Sequence, residues 1–596
     1  MSKSLASLMA AAGTVAACAI LLPGCTDKHS RSASVDADGY HEHRCVDAEP
    51  APFMASGRNG MVASDSHYAS LAGIEILQAG GNAVDAAVAT SFALGVTRPY
   101  STGLGGGGFL IARFADGRLL TVDYRETAPS LARADMYDRA IDAGAGSANP
   151  SRYGYLAVAV PGLLAGQCEV LELHGTMPLR RVLQPAIRLA ESGYAVDENY
   201  VTGAENLVKK YEKDPTLKRS CAYVYRQYLG SGNPPKVGDR LCQPELARLL
   251  KGIGEGGADF FYRGPVASAI ERVMKEHGGL VTADDLSGYR VKHRRPIVIE
   301  YRDYQIIAMP PPSSGGIALA ESLNILESVD LRTMTREDPV LAAHYRVEAM
   351  KHAFADRARW LGDDDFADVP VQRLTSKAYA RRLASMIRPD RSVELDTYGC
   401  DDIQDDSGTS HFCVVDRFGS VVVATETINT VFGSLAAVPE WGLILNNEMD
   451  DFAARPGEAN IFGLVQSDRN AIAPHKRPLS SMSPTIVLKD SEPFLLLGAS
   501  GGPRIISSVL NVLLNVTDCD MPLDQAILAR RPHHQWRPNQ IYFDDTPPHL
   551  IEIGLRSMGH DFAKQHRTGV VQAILLTTDG WCGASDPRKG GRPAGY

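Results

Sequence analysis

A layered α/β sandwich, with strands in the middle and helices before and after, is the fold class this sequence predicts, not a set of parallel βαβ units. Two observations carry the prediction. After Thr409 short strands dominate and fold back as hairpins: residues 412–415 turn through Asp416-Arg417-Phe418-Gly419 into 421–423, residues 485–489 return as 494–497, and 570–577 add a further strand. Elsewhere apolar residues recur at helical spacing, as in Val266, Ile270, Val273 and Met274, or in the run 505–514. The bulk numbers agree with a globular body: 596 residues, 44% hydrophobic and 22% charged. A net charge of -9 gives no reason to expect nucleic-acid binding. No internal stretch reaches the roughly 18 consecutive apolar residues of a membrane span.

The N-terminus stands apart. Lys3 precedes an apolar run from Leu5 to Leu22 that closes with Leu22-Pro23-Gly24-Cys25, the layout of a secretory signal over residues 1–25. The last four residues also resemble a lipobox, with Cys25 as the lipidated residue, although Pro23 is not favoured there. Export is therefore expected, into a bacterial periplasm or onto a membrane through a lipid anchor. Residues 26–55 are rich in Asp, His and Ser and read as a polar linker. His41-Glu42-His43 within it is a weak metal motif. The ten cysteines include no Cys-x-x-Cys pair, so no zinc or thioredoxin-like site is indicated; Cys221 and Cys242, which flank a polar segment, are the first candidates for a disulfide.

From Gly60 the pattern becomes regular. Leu71, Ile74 and Leu77 suggest one helix that stops at Gly80-Gly81, and Asn82 caps a second, Ala-rich helix over 83–94. The glycine run 103–108 contains G-x-G-x-x-G, but a strand follows where a dinucleotide fold needs a helix, so close backbone packing behind a site is the better reading. Residues 158–326 read as alternating helices and polar loops. The Pro-rich stretch 309–316 is a rigid loop that enters a helix at Ile317. Residues 390–407 turn polar and acidic, the composition of an exposed segment, immediately before Gly408-Thr409-Ser410-His411.

The chemistry centres on that junction. A turn centred on Phe418 sets Thr409 opposite Thr427. A Thr directly after Gly408, at the mouth of a hydrophobic strand, is how a self-cleaving precursor exposes an N-terminal nucleophile whose own α-amine is the base. Taken alone, an ordinary hairpin that begins with Thr is the better reading, because Gly-Thr pairs and hairpins are common. Gly501-Gly502, where a strand meets a helix, offers two backbone N–H groups for an oxyanion, or is a plain helix start. Arg125 alone reads more readily as a surface ion pair, and residues 446–451 as an ammonium clamp or a solvated turn; with the hydroxyls of Ser480 and Ser481 they fit a zwitterionic amino-acid group. His411 reads as structural rather than as a second base, Cys413 as a buried thiol, and His533-His534-Gln535-Trp536 as packing.

Over residues 60–596 these motifs, in this order, resemble the γ-glutamyltransferase (γ-glutamyltranspeptidase) family of N-terminal-nucleophile hydrolases. The likeness is carried by residues 80–87, 103–108, Arg125-Glu126, 309–316, 409–416, 446–451, 477–484, Gly501-Gly502 and 583–588. It implies a four-layer αββα sandwich built from two chains cut from one precursor at Gly408-Thr409, a large subunit (56–408) and a small catalytic subunit (409–596) that stay together as a heterodimer. It further implies that Thr409 attacks the γ-amide of glutathione or a related γ-glutamyl compound, assisted by Thr427, with Gly501 and Gly502 holding the oxyanion. Arg125, Ser480 and Ser481 would take the α-carboxylate, and Asn429, Glu448 and Asp451 the α-amine. Water, or an amino-acid or dipeptide acceptor, would resolve the γ-glutamyl-enzyme, and no metal or organic cofactor is implied. Residues 456–476 resemble a substrate lid, with Phe462 where some members have Tyr, and Glu448 stands where some have Gln. The rival of the same fold is a cephalosporin or glutaryl acylase, against which the amine-binding Asp451 argues; the rival of another class is an unprocessed, surface-anchored binding protein.

Overall fold

The computed structural model describes residues 51–144, 149–395, 408–453, 460, 462–564 and 569–596. The signal with Cys25, the linker up to residue 50 with His41-Glu42-His43, and the acidic residues 396–407 lie outside the described residues. Two seven-stranded sheets carry the architecture, and all their ladders are antiparallel. One runs, edge to edge, Met54–Gly57, Gly580–Ser585, Val570–Thr577, Glu492–Ser500, Thr485–Lys489, Tyr304–Ala308 and Ile297–Tyr301. The other runs Ala594–Gly595, Met61–Ser64, Gly408–Val415, Val421–Asn429, Gly107–Arg113, Leu119–Tyr124 and Lys292–His293.

Side-chain alternation along Gly408–Val415 shows how the layers form. Phe412 and Val414 pack with the helices His67–Gln78 and Ala83–Thr97, whereas Cys413 and Val415 pack with Leu496, Ala499, Val571 and Ala573 of the facing sheet. A strand buried on both faces reads as an unbroken apolar run, which is why residues 412–415 show no polar alternation. The far face of the second layer is covered by Gly315–Leu326, Pro339–Trp360 and Arg504–Thr517. The result is helix, sheet, sheet, helix: the αββα sandwich expected from the sequence.

The central hairpin is tied down at its turn. Asp416 accepts from Phe418 N and Ser420 N within the turn and from Ala83 N at a helix start, where a carboxylate is favourably placed. Its register pairs Thr409 with Thr427, as the turn position required. Asn82 caps Ala83–Thr97 in a capping box with Asp85.

Several expectations are corrected. Leu71 is exposed, because residues spaced by three drift about 60° around a helix at each step; Ala69, Ile74, Ile76 and Leu77 form the buried side instead. The second helix continues to Thr97, and the helix after the Pro-rich loop starts at Gly315 rather than Ile317. Met54–Gly57 is an edge strand that begins inside the stretch read as linker. The hairpin of Ile297–Tyr301 with Tyr304–Ala308 lies in a region read as helices and loops, although buried Ile297, Ile299 and Tyr301 alternate with exposed Val298 and Glu300. Cys221 and Cys242 do not form a disulfide: one is buried behind a short helix and the other is exposed.

Candidate active site

At the mouth of the central hairpin the two threonine hydroxyls converge on one carbonyl. Thr409 Oγ1 donates to Gly408 O at 2.8 Å, and Thr427 Oγ1 donates to the same oxygen at 2.7 Å. The two hydroxyl oxygens are 3.2 Å apart. Asn429 N donates to Thr427 Oγ1 at 2.7 Å, which orients that hydroxyl's hydrogen toward its partners. A bulge separates Gly408 from Thr409, and only glycine fits the first position. A Cβ on Gly408 would lie 2.4 Å from Thr430 C and 2.5 Å from Thr430 O. Behind Thr427, a Cβ on Gly106 would lie 1.9 Å from the Thr427 carbonyl oxygen, so part of the glycine run is there for close backbone approach.

Lys589 holds the other side of Thr409. Its Nζ donates to Thr409 O at 2.5 Å and pairs with Asp65 at 2.7 Å, and Asp65 also accepts from Ser410 Oγ at 3.1 Å. Burial pushes the Lys589 pKa down and Asp65 pulls it back. Sequence reading missed this lysine; its only signal was its place directly after the C-terminal motif 583–588.

A small pocket opens beside Thr409 and Thr427, lined also by Arg125, Asn429, Glu448, Asp451, Phe462, Ser480, Ser481 and Gly502. Gly501 is not among its lining residues, so of the expected oxyanion pair only Gly502 faces the cavity. Gly501 and Gly502 both have positive φ, 125° and 58°, where the chain turns from Glu492–Ser500 into the helix that begins at Arg504. The loop bearing Ser480 is pinned by the Pro-rich loop: Ser480 N donates to Pro312 O, and Ser314 N and Oγ donate to Ser480 O. Asn429 Nδ2 donates to Asn447 O at 3.0 Å, tying the hairpin to the acidic loop.

The cation and anion expected for the two ends of a zwitterion touch each other directly. Arg125 is fully buried, and its guanidinium bonds Glu448 and Asp451 while Glu126 lies at 3.4 Å. Burial opposes the charge on Arg125, but Glu448, Asp451 and Glu126 outweigh it and raise its pKa. Burial also lifts the Glu448 carboxyl well above its usual range, raises Asp451, and brings Glu126 to about 7. Arg125 opposes these rises and favours the ionised carboxylates beside it, but burial, the larger effect, favours their protonated forms.

Other sequence candidates sit outside the cavity wall. His411 bonds Thr425 Oγ1 and Cys413 Sγ, and burial drives its pKa to about 3, so it stays neutral and structural. Cys413 is a buried thiol with a strongly raised pKa. His533 bonds Ser507 and His534 bonds Asn539, consistent with packing. Sequence reading missed a contact from this stretch to Phe462: Gln535 Nε2 donates to Phe462 O and Gly463 O, and the Phe462 ring packs over Gly502. Arg357 was also missed; it lines the pocket from the last turn of a long helix, where its sequence neighbours give no hint of a site. Among the described residues, His344, Glu348 and His560, and separately Asp363, Asp364 and Asp365, bring ligand-type atoms together. Each group already holds a cation, Lys351 at 2.6 Å from Glu348 and Arg294 against the three aspartates, and neither lines the pocket.

The family model described as Gamma-glutamyltranspeptidase matches residues 69–596. The chain is 41% identical over 564 residues to the glutathione hydrolase proenzyme of Escherichia coli (strain K12), covering 91% of this chain and 94% of that protein. It is 38% identical over 547 residues to the acylase ACY 1 proenzyme of Pseudomonas sp. (strain SE83), covering 90% and 94%. Among solved structures, cephalosporin acylase from Bacillus halodurans superposes with a TM-score of 0.81 at 28% identity, over 93% of this chain and 98% of that one. The γ-glutamyltranspeptidase of Helicobacter pylori gives 0.51 at 40% identity, over 55% and 91%.

Proposed function

The chain belongs to the γ-glutamyltranspeptidase family, and from that premise we propose that it cuts itself at Gly408-Thr409 and then uses Thr409 to hydrolyse or transfer γ-glutamyl groups. It is an enzyme of the glutathione hydrolase kind. The observation that carries the residue assignment is the single carbonyl, Gly408 O, that accepts from both Thr409 Oγ1 and Thr427 Oγ1 beside a pocket lined by Arg125, Glu448 and Asp451.

In maturation, Thr409 Oγ adds to the Gly408 carbonyl carbon as Thr427 polarises the oxygen. The C–N bond breaks, the hydroxyl proton passes to the departing amine, and an ester replaces the amide. Water then cleaves the ester, leaving a Gly408 carboxylate on the large subunit and a free Thr409 amine on the small one. In turnover the same hydroxyl attacks the γ-carbonyl of the donor; the new α-amine takes its proton and passes it to the departing amine as the γ-amide C–N bond breaks, which leaves a γ-glutamyl ester on Thr409. Gly502 N–H, with Gly501 N–H, stabilises the oxyanion; one such donor typically contributes about 2.7–4 kcal/mol to the transition state. Arg125, Ser480 and Ser481 take the α-carboxylate, and Asn429, Glu448 and Asp451 the α-amine. Phe462, held by Gln535, closes the cavity. Water or an acceptor amine releases the γ-glutamyl group from its ester.

Intact-mass analysis with N-terminal sequencing tests the reading: a small chain beginning Thr-Ser-His-Phe is expected, and a chain that stays whole after prolonged incubation would refute it. One observation favours a second reading, a glutaryl-type acylase: the similarity to two acylases. Asp451 and Glu448 in the cavity argue against it, since a glutaryl group has no amine to bind. Faster cleavage of glutaryl- than of γ-glutamyl-p-nitroanilide would make the acylase reading the right one. Export with lipidation at Cys25 is the reading for residues 1–25; among the described residues no helix is long and apolar enough to cross a membrane. Mass analysis of the large chain decides whether it carries acyl groups.

A further inference from the structure

The pocket contains a second guanidinium that the zwitterion scheme above leaves without a task. Every nitrogen of Arg125 is engaged: Nε with Pro478 O, and the two terminal nitrogens with Glu126, Glu448 and Asp451. Arg357 is different. It is 2% exposed, its Nε donates to Ser314 Oγ at 3.0 Å, and one terminal nitrogen reaches Ser481 Oγ only at 3.5 Å. The other terminal nitrogen, Nη1, is buried with no hydrogen-bond partner. Among the described residues no carboxylate forms an ion pair with it; Asp451 acts on it only at longer range.

A buried guanidinium without an anion is costly, and removing one member of a buried charged pair leaves a penalty of several kcal/mol in other proteins. Its persistence in a cavity wall is reasonable if the anion arrives with the ligand. Burial lowers its pKa to about 10, which still leaves it charged at neutral pH. Its neighbours agree with that use. Ser481 is one of the two hydroxyls placed for a carboxylate, and Ser314, which fixes the guanidinium plane, also bonds the Ser480 carbonyl.

We propose that Arg357 is a substrate-binding residue that shares the donor's α-carboxylate with Arg125 and Ser481. The proposal deepens the γ-glutamyl reading and rests on it. In this arrangement Arg125 is chiefly balanced by the carboxylates that face the α-amine, and Arg357 supplies the positive charge that the incoming carboxylate neutralises. An amide donor that keeps the amine but lacks the carboxylate gains nothing from Arg357.

The test compares two donors that differ by that one group, L-γ-glutamyl-p-nitroanilide and 4-aminobutyryl-p-nitroanilide, in wild type, Arg357→Met and Arg357→Lys. Cleavage into two chains is checked first by gel. Wild type should prefer the γ-glutamyl donor in kcat/KM. Arg357→Met should reduce that preference roughly 10- to 100-fold, mainly through KM, the range for a hydrogen bond to a charged group. Arg357→Lys should fall between, because a point charge keeps attraction but not the fork. A preference unchanged in the variants, with both donors slowed alike, overturns the proposal and makes Arg357 a prop for the Ser480–Ser481 loop. If Arg357→Met does not mature, Arg357→Lys carries the same two outcomes. A wild-type enzyme without preference for the carboxylate overturns the γ-glutamyl reading itself, a failure separate from that of Arg357.

Discussion

Replacing Lys589 by Met should move the acid limb of the pH–rate profile upward. The α-amine of mature Thr409 must be neutral to accept the hydroxyl proton, and a neighbouring ammonium disfavours its protonated form. Lys589 Nζ lies 2.5 Å from the Thr409 carbonyl oxygen. The carbonyl oxygen and nitrogen of one residue are about 3 Å apart, so the two nitrogens are roughly 5 Å from each other. At an effective dielectric constant near 20, that separation gives about 3 kcal/mol of repulsion, or roughly two pKa units. Asp65, 2.7 Å from Lys589, offsets part of this, which leaves about one unit. The assay is kcat/KM for γ-glutamyl-p-nitroanilide from about pH 5 to 10 on protein shown to be fully cleaved. Lys589→Met should lose about tenfold near pH 6 and recover at alkaline pH, with the limb shifted about one unit upward. Asp65→Asn should shift it the other way, since Lys589 then acts without its counter-ion. A uniform loss at all pH values in Lys589→Met, with the limb unmoved, would mean that the lysine only supports the backbone of Thr409.

Three further outcomes are expected. Thr409→Ala should remain a single chain on SDS gels and hydrolyse no donor, because one hydroxyl serves both steps; a cleaved Thr409→Ala protein would separate them. Gly408→Ala should slow maturation by about 5- to 100-fold, the equivalent of 1–3 kcal/mol of overpacking against Thr430. Its cleaved fraction should turn over at the wild-type rate, because residue 408 is then no longer joined to Thr409; a low kcat in that fraction would count against this account. The raised pKa values of Glu448 and Asp451 mean that their ionised forms are lost at higher pH than for free carboxyls. KM for the donor should therefore climb as pH falls, and Glu448→Gln should flatten that climb; identical profiles would exclude Glu448 from ammonium binding.

What was legible in the sequence depended on how local the determining physics is. The pairing of Thr409 with Thr427 follows from one turn and a two-residue period, and the cap at Asn82 from its place at the start of an Ala-rich helix, so both could be read directly. The glycine motifs could be read as close-approach sites but not assigned partners: nothing in the order of residues says that Gly106 meets the Thr427 carbonyl. The hairpin at 297–308 was missed although its period-two burial is plain in Ile297–Tyr301, because the surrounding helices set the expectation. Arg357, Gln535 and Lys589 were missed for a different reason. Each meets the site from a segment far from its partners in sequence (the last turn of a helix, a loop and the stretch after the C-terminal motif), where the neighbouring residues give no sign of what the side chain contacts.

The same distinction bears on why the site holds together before the chain is cut. Arg125, Glu448 and Asp451 satisfy one another across segments far apart in sequence, and Ser314 bonds both the Ser480 carbonyl and Arg357. A pocket assembled only on substrate binding would meet its ordering cost at every turnover. Here the cost is met on folding, while the peptide bond at Gly408 is still intact and its carbonyl oxygen is held by the two hydroxyls. The uncut bond thus occupies, within the molecule, the place proposed for the donor amide, and cleavage exchanges one amide for another at an already ordered pair of threonines. On this view a mutation that disturbs only the zwitterion end should spare maturation, whereas one that displaces Thr427 should impair maturation and turnover together. Thr427→Val, which keeps shape and removes the hydroxyl, separates the two cases: slow cleavage with normal turnover of the cleaved fraction would break the link between the two steps.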